Sequence, residues 1–528
     1  MGLEPTLAAV LAAVVALLIL AQFLRVPYPI LLVVGGLGIA LVPGIPRLAL
    51  DPDLVLVVLL PPLLYAAAFF TPLRELRRNV RSISLLAVGL VLATALIVAA
   101  VVHSALGFAW PEAFVLGAVV SPTDPTAATA IARRVGVPAR IATIIEGESL
   151  INDATALVIY KFAIAATLSG VFSLPHALLS FVVDAAGGIA IGAGVGAVIA
   201  AIRYRLDNPP VEVTIALFTG YFAYLPAEAI GVSGVLAAVT VGIFMGRLTS
   251  KLTTPTTRIQ GDAVWEILVF VMNSALFVLV GMQLPNVLDG IGSISTATLI
   301  RDGAIVAATV MAVRVILVFP LAYGPRFFFR RIRERDPYPA WQAVTIIAWT
   351  GMRGAVSLAA ALALPLVTNA GAGFPHREEI IFLAFCVILG TLVIQGLSLP
   401  ALVHLLGVED DTTARDREES KARVHATRAA LARIDELASE DWVRDETAER
   451  VRRSYDYRLR RFSARFEDPD GDAVAYEERS AAYQRLVREI IDAQRRALLE
   501  LRAKGAIDDD LMHAIERELD YEDSRLEI

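Results

Sequence analysis

Asp124, Glu148 and Asp153 are carboxylates set in apolar sequence, and around them stand side chains suited to a small cation. Glu148 and Asn152 are four residues apart, as are Ser149 and Asp153. In a helix that spacing puts them on two adjacent stripes of one face. Four polar groups then point the same way and can offer hard oxygen ligands, the kind that alkali ions require. One segment earlier, Asp124 lies between Pro122 and Pro125. A proline in a helix leaves the carbonyl four residues back without a partner, here on Ala118 and Ser121. Those carbonyls, the Thr123 hydroxyl and the Asp124 carboxylate could replace part of an ion's water shell. A plain proline kink would account for the prolines but not for the aspartate between them.

A charge at bilayer mid-depth costs about 2.5–3.5 kcal/mol on insertion scales, so these groups must face protein or a water-filled cavity. Two arginines fall in equally apolar sequence. Arg353, flanked by Gly351 and Gly354, is expected to pair with Glu148. Arg314, in MAVRVILVF, is a second buried cation, with Glu212 and Glu228 as candidate partners. Guanidinium keeps its proton, so both read as structural counter-charges rather than proton carriers. Asp153 is then left without a dedicated basic partner. Burial disfavours the charged form of a carboxylate, so such a group can hold a proton or a metal cation but not both well. Competition of this kind, combined with alternating access, gives obligatory exchange without hydrolysis.

The elements that must carry these residues are membrane spans. Of the 528 residues, 56% are hydrophobic and 19% charged, and most of the charge falls after residue 408. Runs of about 20 apolar residues, each long enough to cross a bilayer as a helix, recur over 5–24, 27–44, 53–71, 82–106, 111–132, 142–167, 174–203, 211–230, 232–247, 263–283, 297–323, 339–367 and 377–404. The expected fold is therefore an all-α polytopic membrane protein of about thirteen transmembrane helices. The apolar N-terminus lacks a basic leading region and reads as the first span, not a signal peptide. The single cysteine, Cys386, excludes an intramolecular disulfide.

One set of alternating loops holds most of the arginines, among them Arg74, Arg77, Arg78, Arg81, Arg140, Arg326 and Arg330. The positive-inside rule puts that set in the cytoplasm. With an odd span count the N-terminus lies outside and the C-terminal tail inside, in the cell (inner) membrane. Spans one to six and eight to thirteen could form two inverted six-helix repeats. The fifth is interrupted by Pro122-Thr123-Asp124-Pro125 and the twelfth by Thr350-Gly351-Met352-Arg353-Gly354, and matched interruptions point to a transporter's site. Residues 1–407 form the membrane domain. Residues 408–528, rich in Arg, Glu, Asp and Ala with apolar residues at helical spacing, form a cytoplasmic helical tail open to a regulatory role, with a turn-rich break at Phe466-Glu467-Asp468-Pro469-Asp470-Gly471-Asp472.

SPTDPTAATAIARRVGVP followed by EGESLINDATALVIY resembles the paired fifth and sixth helices of monovalent cation:proton antiporters of the NhaP and sodium/proton exchanger type. The resemblance extends to LLPPLLYAAAFFTPLRELRRN, EAIGVSGVLAAVTVGIFMG, WEILVFVMNSALFVLVGMQL and WTGMRGAVSLAAALALP. It implies cation binding at Thr123, Asp124, Glu148, Ser149 and Asp153, with Asp153 the carboxylate shared by the proton and Na⁺ or K⁺. It matches Asn152 to the asparagine of the electroneutral branch, hence one cation for one proton, and Arg353 to the arginine that pairs with Glu148. It implies a homodimer, a role in pH and cation homeostasis, and Na⁺, K⁺ or Li⁺ as the transported ion, with no cofactor and no nucleic acid. An intramembrane aspartyl protease using Asp124 and Asp153 would leave Glu148, Ser149 and Asn152 unexplained and lacks a GxGD-like element. A channel on the same fold would conduct without counter-transport.

Overall fold

The computed structural model describes residues 3–24, 26–42, 51–170, 174–291, 295–369, 371–408, 412–467 and 472–526. These form helices joined by short turns, and no strand occurs among the described residues beyond one isolated bridge between Val367 and Gly373. In chain order the helices are α1 (Leu3–Leu24), α2 (Tyr28–Ala40), α3 (Leu54–Phe70), α4 (Leu73–Leu106), α5 (Trp110–Val120), α6 (Pro125–Arg134), α7 (Ala139–Ser169) and α8 (Leu174–Arg203). There follow α9 (Pro209–Ala229), α10 (Gly234–Leu252), α11 (Pro255–Gly281), α12 (Leu284–Ile291), α13 (Thr296–Phe328), α14 (Arg330–Arg335), α15 (Trp341–Trp349), α16 (Ala355–Leu362) and α17 (Arg377–Leu406). Among the described residues seven helices are long and apolar enough to cross a membrane, and three more apolar helices are shorter.

Local sequence sets the boundaries. Asn208, Ser233, Thr254 and Ser295 each precede a helix, and each side-chain oxygen accepts the amide three residues on, which satisfies a donor the helix itself cannot. Two expected spans are not continuous. The passage 111–132 splits into α5 and α6, and 339–367 into α15 and α16, each half-helix ending where proline or glycine removes the regular ladder. The passage at 82–106 starts earlier than its apolar run. The strongly amphipathic stretch Leu73–Ser84 continues the same helix, with Asn79 and Ile83 buried and Arg74, Arg77 and Arg78 exposed.

Glycine allows α2 and α11 to cross closely. A Cβ on Gly36 of α2 or Gly281 of α11 would run into the backbone carbonyl of Val278 or Val33 respectively. Small residues at such positions let backbones approach without lipid between them.

The chain divides into two compact units, Met1–Asp410 and Asp411–Ile528. The second consists of α18 (Thr412–Leu437), α19 (Asp445–Glu467), α20 (Asp472–Ala503) and α21 (Asp509–Leu526). Ile491, Leu498, Met512 and Leu519 form a buried cluster within it. Most of the turn-rich break expected after Phe466 lies outside the described residues.

Candidate functional site

The two interruptions meet. Asp124 N donates to Met352 O at 2.8 Å, so the non-helical segment between α5 and α6 is bonded to that between α15 and α16. Gly354 lies so close to Asp124 that an added Cβ would overlap its carboxylate. Four half-helix termini therefore converge at one level. Asp124 sits at the start of α6, where its Oδ1 accepts Thr126 N at 2.8 Å. Arg353 serves the end of α5, with Nε donating to Val120 O at 3.0 Å and an NH2 contact to Ser121 O at 3.5 Å. A third donation reaches Gly351 O. An anion at a helix start and a cation at a helix end each oppose the local dipole. The interruption is thus held by one carboxylate and one guanidinium, each placed where unpaired backbone needs it.

Beside the crossing, α7 presents the expected polar face. Glu148, Ser149, Asn152 and Asp153 are all buried. Asn152 Nδ2 donates to Thr123 Oγ1 at 2.8 Å. The Thr123 hydroxyl lies 3.4 Å from Glu148 Oε1 and 3.3 Å from Ser149 Oγ. Thr123 is thereby clasped to three α7 side chains, which ties the broken passage to the continuous helix. Asp153 differs from its neighbours: no hydrogen bond or ion pair with a described residue holds its carboxylate, and the Asp124 charge acts on it through space. It also keeps 8% of its surface exposed, against 1% for Glu148 and 0% for Asn152.

Two expectations about partners are corrected. Glu148 pairs not with Arg353 but with Arg314, through NH1 to Oε1 at 2.5 Å and NH2 to Oε2 at 2.9 Å. The reason is local: the backbone carbonyls opened by the interruption occupy the Arg353 guanidinium, whereas Arg314 lies on regular helix and has its donors free to turn inward. Its former candidates are engaged elsewhere. Glu212 lies 3.4 Å from Arg203, and Glu228 accepts Gly234 N at 3.0 Å with Lys161 at 3.9 Å. Nor are the carbonyls of Ala118 and Ser121 free. Ser121 Oγ donates to Ala118 O at 2.9 Å, and Ser121 O faces Arg353.

The structure also places residues that sequence reasoning passed over. Thr391 Oγ1 accepts Arg353 N at 3.1 Å, and Gln395 is fully buried with neither amide atom bonded among the described residues. Thr391 and Gln395 are four apart in an otherwise apolar stretch of α17, the same signal that marked the face of α7.

A family model described as sodium/hydrogen exchanger, transmembrane, matches residues 9–405. An uncharacterized Na⁺/H⁺ exchanger of Mycobacterium tuberculosis is 34% identical over 523 residues, 98% of this chain and 95% of its own length. The Na⁺/H⁺ antiporter ApNhaP of Aphanothece halophytica is 33% identical over 78% of this chain and 75% of its own. The sodium, potassium, lithium and rubidium/H⁺ antiporter of Bacillus subtilis is 35% identical over 72% and 58%. The sodium proton antiporter MjNhaP1 of Methanocaldococcus jannaschii shares the fold, with a TM-score of 0.58 at 19% identity over 77% of this chain and 100% of the other.

Proposed function

This chain belongs to the sodium/hydrogen exchanger family, and on that premise we propose that it exchanges one Na⁺ for one H⁺ at Asp153, with K⁺ and Li⁺ as further substrates. The family is one of multi-pass membrane antiporters. The observation that carries the finer reading is the isolation of Asp153. Glu148 and Arg314 cancel, and Asp124 and Arg353 stand at opposite half-helix ends of the crossing. Among the described residues Asp153 is then the one buried carboxylate of the face with no counter-charge.

A buried anion of this kind takes up a positive guest because leaving it bare in a low-dielectric site is costly. A proton makes the site neutral. So does one monovalent cation, held by the Asp153 oxygens with Asp124, Thr123 and Ser149 alongside. Each loaded form can cross between access states with no net charge, while the empty anionic form faces the mid-membrane penalty. That asymmetry couples the two fluxes and makes the exchange electroneutral. Asn152 supports this by contributing an amide where a second carboxylate would add a charge, and by bracing Thr123. Glu148 and Asn152 act as struts of the site, not as carriers.

We place the protein in the cell membrane as a homodimer, N-terminus outside and tail in the cytoplasm, with a role in pH and cation homeostasis. The two interrupted passages serve as counterparts in two inverted halves. The tail is read as regulatory.

The deciding experiment is Asp153→Asn in everted membrane vesicles. The variant should fold and melt like wild type yet fail to dequench a pH dye on addition of Na⁺, K⁺ or Li⁺. Wild-type dequenching by this variant would refute the assignment of the carrier.

A further inference from the structure

Three arginines converge on one aspartate at the arginine-rich end of the membrane unit. Arg326, at the end of α13, is almost wholly buried; it bonds Asp336 Oδ2 at 2.6 Å and the carbonyls of Asp336 and Pro337 at 3.2 Å. Arg140, at the start of α7, reaches Asp336 Oδ1 at 3.3 Å and Asn79 Oδ1 at 3.1 Å. Arg81 on α4 also bonds Asp336, while its own Nε is buried without a partner among the described residues. One carboxylate offsets one of three cations, and Arg81 and Arg140 act on Arg326 through space. Arg81 and Arg140 keep 31% and 48% of their side chains exposed, so this surplus positive charge is open to an anion from outside.

Beside this cluster lies a cavity of about 140 Å³, with Arg140 and Arg326 in its lining. The rest is almost entirely apolar, with Leu85 from α4, Ile144 from α7, Val318 from α13 and Ile347 from α15. No acidic residue lines it among the described residues. An arginine fork matches phosphate oxygens in geometry, and a basic pocket between transmembrane helices suits an anionic lipid headgroup.

We propose that this cavity binds an anionic phospholipid. Its phosphodiester is held by Arg140, which lines the cavity, with Arg81 beside it in the adjoining cluster, and a stretch of one acyl chain seats between Ile144 and Val318. Charge calls for the headgroup, and the apolar walls call for the chain, which free phosphate would leave unmatched. Exposed Arg74, Arg77 and Arg78 on α4 draw such lipids to this end. The occupant also bears on the exchange site. Ile347 lines the cavity, and its carbonyl accepts Arg314 NH2 at 3.0 Å, the same group that holds Glu148. A lipid here braces the helices that carry that pair.

The test uses the full chain in neutral detergent, with melting followed as short-chain phosphatidylglycerol, phosphatidylcholine or glycerol phosphate is added. Phosphatidylglycerol alone should raise the melting temperature. Replacing both Arg81→Ala and Arg140→Ala should raise the concentration needed by about fivefold per arginine. Ala343→Phe, which fills the cavity and leaves every charge in place, should remove the shift and keeps the test decisive if the double variant fails to fold. Equal stabilisation by phosphatidylcholine or by glycerol phosphate would overturn the proposal. So would a wild-type response from Ala343→Phe.

Discussion

Arg314 and Glu148 face each other fork to fork, with both nitrogen–oxygen contacts made at 2.5 and 2.9 Å and side-chain exposures of 1% and 2%. The pair joins α13 to α7 directly beside the crossing, and Glu148 Oε1 also receives the Thr123 hydroxyl. A charge that would otherwise compete for the transported cation is thereby neutralised, and its geometry fixes the face on which Asp153 stands.

Removing one partner should be far worse than removing both. Glu148→Gln leaves Arg314 charged and buried, which is expected to cost about 3–5 kcal/mol and to appear as a large fall in melting temperature. Glu148→Gln with Arg314→Met should recover much of that loss. A Glu148→Gln protein that melts as wild type would sink the pairing, as would rescue by an Arg353 substitution in place of Arg314→Met.

Arg353→Lys tests the other guanidinium. Lysine keeps the charge but cannot reach Val120 O, Ser121 O and Gly351 O with one planar fork. Losing charged hydrogen bonds to the end of α5 should cost about 1.5–3 kcal/mol, seen in thermal or denaturant unfolding. Glu148 acts on Arg353 only through space, so combining the change with Glu148→Gln should couple far less than Glu148→Gln couples with Arg314→Met. Coupling as large as that of the bonded Arg314 pair would mean that Arg353 shares the carboxylate after all.

Gly354→Ala probes the crossing itself. The new methyl would overlap the Asp124 carboxylate, and overpacking of this sort costs about 1–3 kcal/mol. Because the displaced group is a site residue, exchange should fall more steeply than stability. A variant with wild-type exchange would show that Asp124 need not hold this position.

What the sequence displayed, and what it hid, follows from the range of the interactions. The polar face of α7 was legible because Glu148/Asn152 and Ser149/Asp153 repeat at helical spacing. The two interruptions were legible because Pro122, Pro125, Gly351 and Gly354 act on their own backbone. The partner of Glu148 was not, since Arg314 lies 166 residues away and both arginines occupy equally apolar sequence. What separates them is the demand of backbone carbonyls at a half-helix end, and those exist only once α5 has stopped and met the second interruption. The same blindness made Ala118 O and Ser121 O look free.

If Asp153 takes one guest at a time, protons and cations must compete. Acidifying the side from which the cation binds should raise its half-saturating concentration, up to about tenfold per pH unit, the limit for one proton displaced by one ion. At saturating cation the rate should change much less, because mass action restores the loaded site. Thr123→Val removes a candidate ligand but not the carboxylate. It should therefore raise the half-saturating concentration at every pH while leaving the slope against pH intact, and it should also loosen the clasp to Asn152. Proteoliposome flux measured over a grid of pH and Na⁺ or K⁺ separates these outcomes. A maximal rate that falls with acid at constant half-saturation would mean that proton and cation occupy different groups, and the shared carboxylate at position 153 would have to be abandoned.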